Sequence, residues 1–161
     1  MSARLSEPFP LADSAIDIVM MFKSLHHVPV EHLDEAFRQI HRVLTPGGHL
    51  YLSEPVFAGA LNEMIRVFND EEVVRKAAFE AACRAVQERL FEFCEEVFFL
   101  VPVHYQDFAE FSKAHFYATH SERNVSDAQR SAVERLFNAH LGPQGANLTQ
   151  QIRVDLLRKP R

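Results

Sequence analysis

The chain has 161 residues, 47% of them hydrophobic and 24% charged, a length that suits one domain and a balance that excludes disorder. Its formal net charge is −5 and its 17 Lys and Arg are scattered, which excludes a basic footprint for nucleic acid and a polybasic membrane anchor. No stretch approaches the roughly 18 uninterrupted apolar residues that a membrane-spanning helix needs.

The aromatic content is 14 Phe, 3 Tyr and no Trp, so most rings lack a polar handle and are expected to be buried or to line an apolar cavity. Residues 1–8 carry no apolar run after Arg4 and do not read as a secretory signal. Cys83 and Cys94 form neither a CxxC nor a ligand cluster, and read as reduced thiols of a cytoplasmic protein.

In chain order, residues 1–15 are polar, contain Pro8 and Pro10, and read as an extended entry and turn. Residues 16–22 (IDIVMMF) are a short, nearly continuous apolar run, the pattern of a strand buried on both faces. Asp17 is its one charge, and as a buried carboxylate it calls for a partner such as a backbone amide or Arg42. Residues 30–44 place Leu33, Phe37, Ile40 and Leu44 on one stripe, with charges opposite, and predict a helix. Thr45-Pro46-Gly47-Gly48 stops it. Residues 49–54 (HLYLSE) then form a second strand, completing a βαβ unit with a right-handed crossover.

Residues 59–92 predict two helices, the second starting near Asn69-Asp70-Glu71-Glu72, where acids suit the positive end of the helix dipole. Residues 97–105 (VFFLVPVHY) predict a third strand, and Pro102 places it at an edge or a bulge. Short helices are expected at 108–117 and 126–140, the latter capped by Ser126. Residues 141–145 break the chain before a last strand at 148–157, in which Arg153 and Asp155 mark the wetter face. The Phe-rich stretch of Phe91, Phe93, Phe98, Phe99, Phe108, Phe111, Phe116 and Tyr117 reads chiefly as core. The whole is an α/β domain spanning residues 1–161.

Three adjacent segments carry a family resemblance. Residues 9–19 (FPLADSAIDIV) resemble the "lPFpDasFDlV" entry to the fourth strand of class I S-adenosylmethionine-dependent methyltransferases. Residues 24–28 (SLHHV) resemble the "LHHV" loop of that family, and residues 36–48 (AFRQIHRVLTPGG) resemble its "alrEihRVLkPGG" helix and turn. LYLSEP, residues 50–55, is similar to its fifth strand.

The resemblance implies a partial Rossmann-like, mostly parallel sheet of about four strands with flanking helices, lacking the first three strands of the methyltransferase fold. It also implies S-adenosylmethionine as cofactor. The family holds that cofactor on a Gly-rich turn after its first strand and on an acidic residue after its second. This sequence, with 5 Gly, has no such strand–turn–helix motif. The reading is therefore of a truncated methyltransferase domain, inactive or weak alone, acting on an unknown small-molecule acceptor that some Phe rings could help to bind. The alternative is a non-enzymatic dimerisation or interaction module. A homodimer or a complementary N-terminal half is the expected partner, with the 16–22 strand as the open edge.

By resemblance, the loop after the fourth strand faces the transfer site. It nominates Phe22, Lys23 and His26 for cofactor contact and His27 as the catalytic group, a general base or an orienter of the acceptor. Glu54, at the exit of the 49–54 strand, lies at the carboxyl edge where open α/β sheets bind ligands. No metal site is expected, because adjacent histidines on a loop diverge. The other seven (His32, His41, His49, His104, His115, His120 and His140) lack a ligand spacing.

Overall fold

The computed structural model describes residues 10–117 and 124–161, so most of the 1–15 entry and His120 lie outside the described residues. The chain divides into two compact units. One comprises the described residues up to Pro55 with Glu72–Phe99 and Ile152–Arg161, and the other comprises Val56–Glu71 and Leu100–Gln151.

The first unit is built on strands β1 (Ile16–Phe22), β2 (Leu44–Pro55), the opening of β3 (Glu92–Tyr105) and the end of β5 (Gly145–Arg158). The sheet order is β1-β2-β5-β3. β1 and β2 are parallel, with Phe22 opposite Ser53, joined through helix α1 (Leu33–Val43), so the βαβ expectation holds. β5 runs antiparallel to β2, with Leu52 opposite Asp155 and Glu54 opposite Arg153. The sheet is therefore mixed where a mostly parallel one was expected. The last strand enters between β2 and β3 in the reverse sense, a pairing that periodicity within one strand cannot reveal.

The core of this unit joins Leu33, Phe37 and Ile40 of α1 to Leu50, Leu52 and Leu157 of the sheet. Ala78, Ala81, Ala82 and Ala85 of α3 (Glu72–Gln87) belong to the same core. Small side chains along α3 let its backbone lie close to the strands. α1 ends one residue earlier than its stripe suggests: Leu44 is already extended and opposes Ile16. Pro46 disfavours helical backbone at Thr45, and Gly47 has φ of +81°. A Cβ at Gly48 would lie 2.9 Å from the Thr45 carbonyl oxygen and 3.0 Å from that of Asp17. The TPGG segment thus begins β2 with an irregular register, where a separate turn was expected.

β1 is an outer strand and is not buried on both faces. Val19 and Met21 pack on the core, whereas Ile18, Met20 and Phe22 are exposed on the other side, Met20 at 55% and Phe22 at 59%. Asp17 is also exposed, and its Oδ1 accepts from the Thr45 hydroxyl at 2.9 Å. Arg42 instead donates to the Leu11 carbonyl and to Asp13. An outermost strand loses one covering layer, so the buried-carboxylate expectation for Asp17 falls with the two-sided burial.

The second unit holds α2 (Ala60–Ile65), α4 (Phe108–Phe116), α5 (Asp127–Asn138) and the short strand β4 (Leu141–Gly142), which pairs antiparallel with the start of β5. Its core is aromatic: Tyr105, Phe111, Phe116 and Phe137 are buried with Met64 and Leu148. Ser126 caps α5 in a reciprocal capping box with Gln129, as its sequence position predicts. Asp107 caps α4 by accepting from the Glu110 amide at 2.9 Å. The Phe-rich stretch divides: Phe91, Phe111 and Phe116 are core, while Phe93, Phe98, Phe99 and Tyr117 are exposed. The exposed phenylalanines all lie on β3, whose end position in the sheet order leaves their faces uncovered.

Candidate functional site

The candidate site forms where the parallel strands β1 and β2 end side by side. β1 stops at Lys23, whose φ of +49° turns the chain, while its amide donates to the Ser53 carbonyl at 2.7 Å. Residues Leu25–His27 then make one 3₁₀ turn, closed by bonds from the His27 amide to Ser24 and the Val28 amide to Leu25. The Leu25 side chain is buried in the first core and pins the turn from below.

The first amides of a helical turn have no internal partner, and here Glu54 supplies one. Its Oε1 accepts from the Ser24 amide at 3.0 Å and the Leu25 amide at 2.8 Å. Its Oε2 is bonded to His26 Nδ1. Glu54 and His26 are both 6% exposed. Burial by itself would raise the Glu54 pKa, but the His26 bond and the two backbone amides outweigh it and hold the carboxyl below its ordinary 4.5. An ionised carboxylate only accepts, so His26 Nδ1 carries the proton of the shared bond. One side chain at the tip of β2 thus holds three consecutive residues after β1.

The four nominated residues separate accordingly. His26 points inward and is committed to Glu54. His27 is exposed, its ring 4.2 Å from that of His26. Lys23 is exposed, and Phe22 is exposed with its ring 5.5 Å from Tyr51. An apolar ring, a cation and an imidazole therefore stand together on the carboxyl edge, over a rigid base. That donor set fits the amino-acid end of S-adenosylmethionine: Lys23 suits a carboxylate and the Phe22 ring suits an apolar neighbour. For the ribose and adenine, no Gly-rich strand-to-helix turn occurs among the described residues. Nor is there a group of three or more His, Cys, Asp or Glu that could hold a metal ion among them.

Glu54 was legible from its place at a strand exit, but its grip on Ser24 and Leu25 was not, because backbone amides carry no sequence signal. A second buried carboxylate, Asp155 on β5, was missed altogether: alternation with Arg153 read as a wet face, yet Asp155 is 5% exposed.

Residues 2–52 match the family model described as a methyltransferase domain. No curated protein gives a significant match. Among solved structures, the chain is similar to a candidate methyltransferase of Bacillus halodurans C-125, with 16% identity and a TM-score of 0.57 over 94% of this chain and 68% of that one. It is similar also to the YcgJ protein of Bacillus subtilis, with 14% identity and a TM-score of 0.54 over 94% and 67%. A looser match, with 14% identity and a TM-score of 0.40 over 94% and 35%, is phosphoethanolamine N-methyltransferase 2 of Haemonchus contortus, in complex with S-adenosylhomocysteine and phosphomonomethylethanolamine. The class I methyltransferase resemblance of residues 8–55 is borne out, and the chain has an α/β fold with a mixed sheet that resembles methyltransferase structures.

Proposed function

We propose that this chain serves methyl transfer from S-adenosylmethionine to a small-molecule acceptor, with the loop from Phe22 to His27 as its part of the transfer site. The observation that carries the reading is the Glu54 clamp. A buried, ionised carboxylate holds the turn after β1 through two amides and an imidazole. Such rigidity suits a reaction that depends on alignment more than on strong acid or base.

When bound, the cofactor supplies a sulfonium methyl group open to in-line attack. His27, on the exposed side of the clamped turn, orients the acceptor or takes the proton it loses. Lys23 would hold the carboxylate of the cofactor's amino-acid end, and Phe22 would cover its apolar side. His26 acts through the loop's shape, as a positioning residue with Glu54. Without a Gly-rich turn and a ribose-binding carboxylate, several hydrogen bonds worth about 1–3 kcal/mol each are missing, and these 161 residues alone are expected to bind the cofactor at about millimolar strength.

The test is a nitrogen-15 chemical-shift titration of the chain with S-adenosylmethionine to about 10 mM. Saturable shifts centred on Phe22 to Val28 are expected. Shifts centred elsewhere, or none at that concentration, overturn the reading.

A further inference from the structure

The outer edge of β1 has an order of its own. The Lys23 amide donates to the Ser53 carbonyl of β2. Along a strand, successive residues turn their backbone groups to opposite sides, so Val19 and Met21 address β2 as Lys23 does. Ile18, Met20 and Phe22 turn their N–H and C=O groups outward, where no other strand lies among the described residues. The side chains of the same three residues are exposed on the uncovered face of the sheet. An edge with an open ladder and an apolar row is a template for another strand.

The strand is complementary to itself. Residues 18–22 (IVMMF) hold no charge, so two copies laid antiparallel oppose no like charges there. A twofold axis at Met20 sets Met20 opposite Met20, Ile18 opposite Phe22 and Val19 opposite Met21. In that register the outward groups of Ile18, Met20 and Phe22 meet their counterparts in about six ladder hydrogen bonds. Asp17 stands near the start of β1 and Lys23 just past its end, both exposed. The same register sets Asp17 of each copy alongside Lys23 of the other. A slip of one residue would oppose outward groups to inward ones and lose the ladder. A slip of two would keep the ladder but part the opposite charges.

We infer that β1 is a dimerisation edge, at which a second copy of this chain pairs antiparallel about a twofold axis at Met20 and joins two sheets into one. The contact is isologous, the commonest kind. It places Ile18 of one copy against Phe22 of the other, and side chains directly opposite on an antiparallel pair touch. The Asp17–Lys23 pairs lie at the rim, where exposed ion pairs set direction more than strength. The inference stands on the backbone of β1 and holds whether or not the following loop serves methyl transfer.

Sedimentation of the whole chain up to about 200 µM should show a monomer–dimer equilibrium with a Kd of about 10 µM. Amide exchange reads the register. From the dilute to the concentrated sample, Ile18, Met20 and Phe22 should slow by about tenfold, and Val19 and Met21, already bonded to β2, should change far less. Met20→Lys, an exposed substitution that sets like charges opposite each other, should leave a monomer at about 200 µM with an unchanged circular dichroism spectrum. In a Cys94→Ser background, Met20→Cys should give a disulfide-linked dimer on mild oxidation, because residues opposed across the axis lie about 5.5 Å apart at Cα. Ile18→Cys, about 14 Å from its counterpart, should not. A monomer at about 200 µM, protection of the three amides that ignores concentration, an undisturbed dimer in Met20→Lys, or equal crosslinking of both cysteine variants would each overturn the inference.

Discussion

Glu54 and Asp155 sit on adjacent strands of one sheet, almost equally buried, and they are displaced from their ordinary pKa values in opposite directions. Glu54 is at a strand tip, where the following loop can bring it two amides and an imidazole. Asp155 is in mid-strand, where neighbouring backbone groups are used by the ladder and only side chains remain: one guanidinium and another carboxyl. Burial is the largest single influence on both groups and pushes both upward. What decides the sign is how many donors the local backbone leaves free. The first carboxylate is therefore a fastener of backbone, and the second is held by side chains alone.

The strongest way to break this contrast is to remove the fastener. Glu54→Ala should destabilise the fold by about 3 kcal/mol, because it abandons three hydrogen bonds to one buried charge. Urea unfolding measures the loss. Amide exchange at Ser24 and Leu25 should accelerate beyond the global change, and an unchanged exchange rate would show that Glu54 does not hold the turn.

The two carboxylates should also give opposite pH dependences. The folded Glu54 pKa lies below its unfolded value near 4.5, so its contribution is present above that value and lost as pH falls through the folded pKa. Glu54→Gln should flatten the acid limb of a stability profile. The folded Asp155 pKa lies above 3.8, so its contribution is present below 3.8 and lost as pH rises through the folded value. Asp155→Asn should remove that decline, gaining on the parent protein as pH rises. Urea midpoints from about pH 3 to 7 cover both limbs, and slopes of the same sign would refute the comparison.

The smallest effects on stability belong to exposed groups. His27→Ala should change stability by less than about 0.5 kcal/mol, as should Asp17→Asn, which weakens one surface bond from Thr45. In an active assembly the two should part company: turnover falls by about tenfold or more for His27→Ala and is nearly unchanged for Asp17→Asn. Equal losses would remove His27 from the transfer site.

The sequence by itself determined the order of elements, the α1 stripe, the cap at Ser126, the edge position of β3 and the loop that faces the carboxyl edge. These rest on periodicity and on short-range chemistry, in which each residue reports its own neighbours. Tertiary structure alone decided that β5 enters antiparallel, that β1 has one bare face, and that Asp155 is buried while Asp17 is not. It also decided that Glu54 spans 28 to 30 positions to hold Ser24, Leu25 and His26. Pairing sense and side-chain environment depend on which strand becomes the neighbour, and a strand's own alternation is the same whichever neighbour it takes.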